Sequence, residues 1–133
     1  MKKVIVFGTF DGIHEGHLNL FKQAKKYGDY LIVVVGRDEN IKKLKGRYPL
    51  KNEQERLSNV RNQGIVGEAV LGGLSDPYEI ISKINPNIIG LGYDQNSFTD
   101  DLEGRLRKLN LKVKIVRLKA YKPKIYHSSK LNK

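Results

Sequence analysis

The chain has 133 residues, 39% of them apolar, the size and hydrophobicity of one compact domain with one core. Its 25 Lys and Arg against 14 Asp and Glu give a formal charge of +11, so a polyanionic partner is expected: a nucleotide, a nucleic acid or a membrane surface. The absence of cysteine excludes disulfides, thiolate chemistry and the usual structural zinc sites, and the longest apolar run, Leu31 to Val35, is far short of the ~20 residues that cross a bilayer.

The opening Met1-Lys2-Lys3 starts like a secretory leader, but Gly8 ends the apolar stretch and no small-residue cleavage site follows, so the cytoplasm is the expected compartment. Val4 to Phe7 predicts a buried strand closed by Gly8. From His17 to Tyr27, Leu18, Phe21 and Ala24 recur at helical spacing while Lys22, Lys25 and Lys26 face outward, and Gly28 is expected to cap that helix. Tyr30 to Val35 predicts a second strand. The polar segment Arg37 to Tyr48 follows, carrying Arg37, Lys42, Lys43, Lys45 and Arg47. Around Asn52 another helix begins, with Glu53 and Glu55 in its first turn and Leu57 and Val60 on its inner face.

Glu68 to Leu71 predicts a third strand, broken by Gly72-Gly73. Ser75 to Glu79 is a helix start in which Asp76 caps and Pro77 takes the first position, with Ile80, Ile81 and Ile84 facing the core. Asn85-Pro86 ends that helix, and Ile88 to Leu91 predicts a fourth strand. Leu102, Leu106 and Leu109 mark a further helix and Val113 to Val116 a fifth strand. Buried strands alternating with amphipathic helices define an α/β chain: a single Rossmann-like, doubly wound domain over residues 1–133, with a five-stranded parallel sheet and right-handed crossovers. In such sheets ligands bind at the carboxyl ends of the strands, the rim shared by the loops after Gly8, Gly36, Gly92 and Val116.

The segment GTFDGIHEGH, Gly8 to His17, lies on that rim between the first strand and the first helix, where backbone amides and the positive helix end attract phosphate. Its glycines let a ligand approach the backbone, Thr9 adds a hydroxyl, and His14 and His17 fall on one side of the first helical turn. Imidazolium groups there would hold phosphate oxygens and stabilise charge developing on a pentacoordinate phosphorus. The segment lacks the Lys-Ser/Thr ending of a Walker A loop and the glycine spacing of a dinucleotide fingerprint. A metal reading would need His14, His17 and His127 together, and no supporting residue pattern accompanies them, so no protein-held metal is expected. The Lys-rich stretch around Tyr121 and Tyr126 could bind single-stranded nucleic acid or form a solvated tail.

The segment resembles the His-x-Gly-His signature of the cytidylyltransferase-like nucleotidyltransferase superfamily, and Gly8 to Asp11 resembles its short members. Val33 to Pro49, Leu91 to Gln95 and Val116 to Ser129 are similar to segments of archaeal-type FAD synthases. The glycerol-3-phosphate cytidylyltransferases share the first motif but close differently, where this chain has Lys122 and His127-Ser128-Ser129. The resemblance implies transfer of AMP from ATP to FMN, giving FAD and pyrophosphate, with Mg²⁺ or a similar divalent ion accompanying ATP. It further implies catalytic roles for His14 and His17, and nucleotide contacts from Thr9, Phe10, Glu15, Gly16, Asp94 and Tyr121. Lys43, Lys45, Ser128 and Ser129 would meet phosphates, and relatives with this fold often pair as homodimers. The alternatives are a CTP-dependent enzyme acting on glycerol 3-phosphate or a similar alcohol phosphate and, outside enzymes, a basic nucleic-acid-binding module. Neither a nucleic acid nor a membrane is the expected partner. Asp94, read from its place after a strand, could accept hydrogen bonds from ribose or simply form a turn.

Overall fold

The structure is a computed structural model that describes residues 1–73, 79–92, 102 and 104–119. Among the described residues these elements follow in chain order: β1 (Lys3–Gly8), α1 (Glu15–Lys25), β2 (Tyr30–Val35), α2 (Asp38–Lys45), α3 (Glu53–Arg61), β3 (Glu68–Leu71), α4 (Glu79–Ile84), β4 (Ile88–Leu91) and β5 (Lys114–Arg117). Residues 104–108, before β5, are also helical. The strands form one five-stranded sheet in the order β3-β2-β1-β4-β5, and every neighbouring pair is parallel.

Alternation along the strands sends side chains into two cores. Val4 and Val6, Leu31, Val33 and Val35, and Ile88 pack with Phe21 and Ala24 of α1 and with Leu57 and Val60 of α3. Ile5, Val34, Ile89 and Leu91 pack on the other face with Ile81 of α4 and with Leu102 and Leu106. Helices therefore cover both faces, which is why the central strands are apolar at every position rather than at every second one. The chain runs outward from β1 through β2 to β3 and then returns to the far side of β1 as β4. The order thus reverses between β1 and β4, where a crevice opens at the strands' carboxyl ends. Strands β1, β2 and β3 end level there: Gly8 pairs with Val35 and Val35 with Leu71, while Gly36 N–H donates to the Gly8 carbonyl at 2.9 Å and Gly72 N–H to Val35 at 3.0 Å.

Several sequence expectations shift. Helix α1 begins at Glu15, two residues before the expected start, and His14 rather than a Ser, Thr or Asp is its N-cap. Its C-cap is Lys26, and Gly28 serves a different purpose: a Cβ there would lie 2.7 Å from the Lys2 carbonyl oxygen and from Val4 Cγ2. The segment expected only to be polar contains α2, which buries Ile41 alone and ends on Gly46 in the left-handed region at φ 79°. One buried residue in eight leaves no apolar periodicity to read. Strand β5 lies one residue further along than Val113 to Val116, and Leu109 is 37% exposed rather than in the core. The expected cap Asp76 and first-turn Pro77 lie outside the described residues.

Candidate active site

The turn after β1 is shaped by one aromatic side chain. Phe10 adopts a left-handed backbone (φ 55°), and its ring, 3% exposed, packs edge-on against His17 at 5.2 Å between centroids and against Phe21 at 5.4 Å. A non-glycine residue in that conformation is strained, and burial of the ring in the α1-side core offsets the strain. Gly8 is required beneath it, because a Cβ would stand 2.6 Å from Phe10 Cζ. Phe10 therefore acts in the structure as a wedge that fixes where His17 stands.

The two histidines close the N-terminus of α1 on each other. His14 Nδ1 accepts the Gly16 N–H at 3.0 Å, and His17 Nδ1 accepts the His14 N–H at 3.3 Å. The pair is a capping box made of imidazoles where Ser and Glu usually stand. The rings stack at 3.9 Å between centroids, 25° apart. A nitrogen that accepts cannot also hold a proton, so both rings carry theirs on Nε2. Burial lowers the pKa of His14 below the ordinary imidazole value. Burial and then the neighbouring His14 lower His17 to about 4, against a smaller opposing effect of a hydrogen bond to the Gly12 backbone. Without a ligand the pair is thus neutral at pH 7, its rings N–H dipoles where the sequence suggested imidazolium cations. Glu15 is the exposed first residue of α1, and the Gly16 amide is held by His14.

Behind the turn lies a polar network centred on Arg56, which the sequence alone did not reveal. Arg56, fully buried on α3, donates from Nη1 to the Thr9 carbonyl at 2.9 Å, from Nε to the Lys51 carbonyl at 3.0 Å and from Nη2 to Asp38 at 2.6 Å. Asp38 and Glu53 cap one another's helices: Glu53 N–H donates to Asp38 Oδ2 at 3.2 Å and Asp38 N–H to Glu53 Oε1 at 2.9 Å. Arg37 joins Glu53 at 3.1 Å to the Gly72 carbonyl at 2.7 Å, so the ends of β2 and β3 are tied to the same network. Asp11 accepts the Leu50 and Lys51 N–H groups at 2.7 and 2.8 Å, one on each carboxylate oxygen. The available signal was Arg56 itself, a charged residue four positions before Val60 on the inner stripe of α3.

Of the expected phosphate-binding lysines, Lys45 reaches the turn, its Nζ donating to Thr9 Oγ1 at 3.3 Å, while Lys43 is exposed on α2. Thr9, Phe10, His14, Glu15, Gly16, His17 and Lys45 are thus gathered around one turn at the carboxyl end of β1. Asp94, Tyr121, Ser128, Ser129 and His127 lie outside the described residues. An open depression of about 390 Å³ flanks the turn, lined by Gly12, Ile13, Lys51, Asn59, Asn62 and Gln63, and neither histidine lines it. Among the described residues no three His, Asp or Glu side chains cluster so as to hold a metal ion, and no helix is long and apolar enough to cross a membrane.

A parallel sheet of this order with a histidine-capped helix after β1 defines a nucleotide-binding α/β protein. The cytidylyltransferase-like family model matches residues 5–133, and the chain belongs to that family. It is 43% identical over 120 residues, 90% of this chain and 78% of the relative, to the FAD synthase of Ferroglobus placidus. It is 37% identical over 133 residues, 100% of this chain and 93% of the relative, to the FAD synthase of Thermoplasma volcanium. A solved structure described as the lipopolysaccharide core biosynthesis protein of Thermoplasma volcanium GSS1 superposes with a TM-score of 0.85 at 38% identity, covering 91% of this chain and 98% of the other.

Proposed function

We propose that this chain is an FMN adenylyltransferase, joining the AMP moiety of ATP to FMN to give FAD and pyrophosphate. The observation that carries the reading is the stacked, neutral His14–His17 pair at the N-terminus of α1, in a chain similar to FAD synthases over 90% or more of its length. An FMN phosphate oxygen attacks the α-phosphorus of ATP in line. The new P–O bond forms as the bond to the bridging α,β oxygen breaks, and pyrophosphate leaves with that electron pair. The acceptor phosphate is already ionised at neutral pH, so no strong general base is needed.

His14 donates an Nε2–H hydrogen bond to the phosphate oxygens on which charge accumulates, His17 does the same by exchanging its bond to the Gly12 backbone for one to the ligand, and the positive end of α1 acts in the same direction. Neutral donors suit this task. They gain from negative charge in the transition state without binding the ground-state triphosphate as tightly as cations would. Thr9 and Phe10 meet the triphosphate through hydroxyl and main chain, Gly16 leaves room for it beside Glu15, and Lys45 neutralises its outer phosphates with help from Lys43. By the superfamily resemblance, Asp94 and Tyr121 serve the nucleoside, and Ser128 and Ser129 the outer phosphates. By the superfamily resemblance, a divalent cation such as Mg²⁺ would accompany the triphosphate. Residues 1–133 then work as one nucleotidyltransferase domain in the cytoplasm, where both substrates occur, and the resemblance implies a homodimer.

The test is to incubate the protein with ATP or CTP against FMN or glycerol 3-phosphate and follow pyrophosphate and product mass. FAD formed from ATP and FMN is the expected product. A CDP-linked product, or no pyrophosphate from any combination, overturns the proposal.

A further inference from the structure

The last turn of α2 and the linker to α3 expose three large apolar side chains within seven residues: Leu44 is 82% exposed, Tyr48 54% and Leu50 96%. A single exposed leucine is ordinary, whereas exposed apolar side chains gathered in a patch are characteristic of binding surfaces. This segment is moored to the phosphate turn at both ends. Lys45 donates to the Thr9 hydroxyl at 3.3 Å, and the Leu50 and Lys51 amides hold the Asp11 carboxylate at 2.7 and 2.8 Å. Behind it Arg56 bonds both the Lys51 and the Thr9 carbonyls. The apolar side chains are thereby kept beside the turn by five hydrogen bonds.

We propose that Leu44, Tyr48 and Leu50 form the surface on which the tricyclic ring of the acceptor flavin lies. The inference rests on the adenylyl-transfer reading of the site and adds to it the residues that select the acceptor. FMN is a large, flat, apolar ring joined by a polyol to a dianionic phosphate. The segment presents the matching pattern: apolar side chains interspersed with Lys43, Lys45, Arg47 and Lys51, all exposed. The Tyr48 hydroxyl donates to Glu39 at 3.0 Å, and Lys42 Nζ lies 5.4 Å from the centre of the Tyr48 ring, so the ring's edge and one face are anchored. Tyr48 is therefore positioned before any ligand arrives, which lowers the ordering cost of stacking on it. A small alcohol phosphate such as glycerol 3-phosphate would leave all three side chains in water, and burying apolar surface is the main source of affinity for a flat ring.

The test uses the full chain with FMN, riboflavin and ATP. Flavin binding is read by fluorescence quenching without ATP, and FAD synthesis is read separately. The Leu44→Ser/Leu50→Ser variant should raise the FMN dissociation constant and the KM for FMN by roughly tenfold or more, about 1.4 kcal/mol. The KM for ATP and the urea midpoint should hardly move, because these side chains contribute nothing to the core. Tyr48→Ser should weaken FMN and riboflavin by similar factors, since the ring and not the phosphate is being held. Tyr27→Ser, which removes an exposed aromatic residue from the end of α1, should change neither. An unchanged FMN constant in the double variant while the wild type makes FAD overturns the flavin surface and leaves the reaction standing. FMN binding that the variants weaken, in a wild type that makes no FAD, does the reverse. A wild type that does not bind flavin, or variants whose only change is a shift in sedimentation from dimer to monomer, overturns the surface.

Discussion

Removing Asp38 should unfasten the phosphate turn from a distance, and the size of the effect can be worked from its contacts. Asp38 is the only carboxylate that the described contacts place on the fully buried Arg56 guanidinium, and it also accepts the Glu53 amide. Asp38→Ala leaves a charge buried without its partner, which costs about 3–5 kcal/mol. Arg56→Met removes the charge but strands the Thr9 and Lys51 carbonyls, at about 1–3 kcal/mol each. The double variant removes both ends of the pair, so it should be less destabilised than the sum of the singles, with a coupling of about 1–3 kcal/mol. Typical stabilities of about 5–15 kcal/mol let each single variant fold. Urea unfolding at pH 7 followed by circular dichroism measures all four corners of the cycle, and FAD synthesis by the folded variants reports the turn. Costs that add within ~0.5 kcal/mol would show that the pair is not coupled, and an Arg56→Met enzyme with unchanged kcat would show that the Thr9 carbonyl needs no tether.

The Gly8→Ala variant should lose about 1–3 kcal/mol, because the new methyl meets a buried Phe10 ring with no room to retreat. Its turnover should fall as well, since Phe10 carries His17; a thermal midpoint equal to wild type would refute the wedge. The lowered pKa of His17 makes stability depend on pH in a defined direction. Between its folded value of about 4 and the ordinary 6.5, the unfolded chain binds the extra proton. The contribution is therefore complete above pH 6.5 and lost as pH falls toward 4, on the order of 3 kcal/mol in all. His17→Gln should flatten that slope, so identical pH profiles of unfolding free energy for variant and wild type would contradict it.

The architecture was legible because the central strands are buried on both faces and read as unbroken runs of β-branched, aromatic and other apolar residues, as in Val4 to Phe7 and Tyr30 to Val35. Helix α2 was not, since it buries only Ile41 and is held by contacts distant in sequence, such as Asp38 to Arg56 and Asn40 to the Gly73 carbonyl. The histidine pair was visible as a motif at a strand end, but its tautomers were not. They follow from which backbone amides the rings accept, and no spacing rule contains that. Asp11 and Arg56 escaped for a related reason: the first reads as a turn residue and the second as an ordinary helical cation, and only the fold brings one to Leu50 and the other to Thr9. Lys43 and Lys45 are both exposed on α2, and only the fold shows that Lys45 Nζ donates to the Thr9 hydroxyl.

The proposed stabilisation of the transferring adenylyl group by two neutral imidazoles is tested by variants that keep the helix cap while removing the rings. Asn is a good N-cap and Gln a good third residue of a capping box. In His14→Asn/His17→Gln the kcat for FAD formation from ATP and FMN should fall by roughly 10²–10³-fold or more, with little change in KM for either substrate. A double variant that turns over at the wild-type rate would contradict the account.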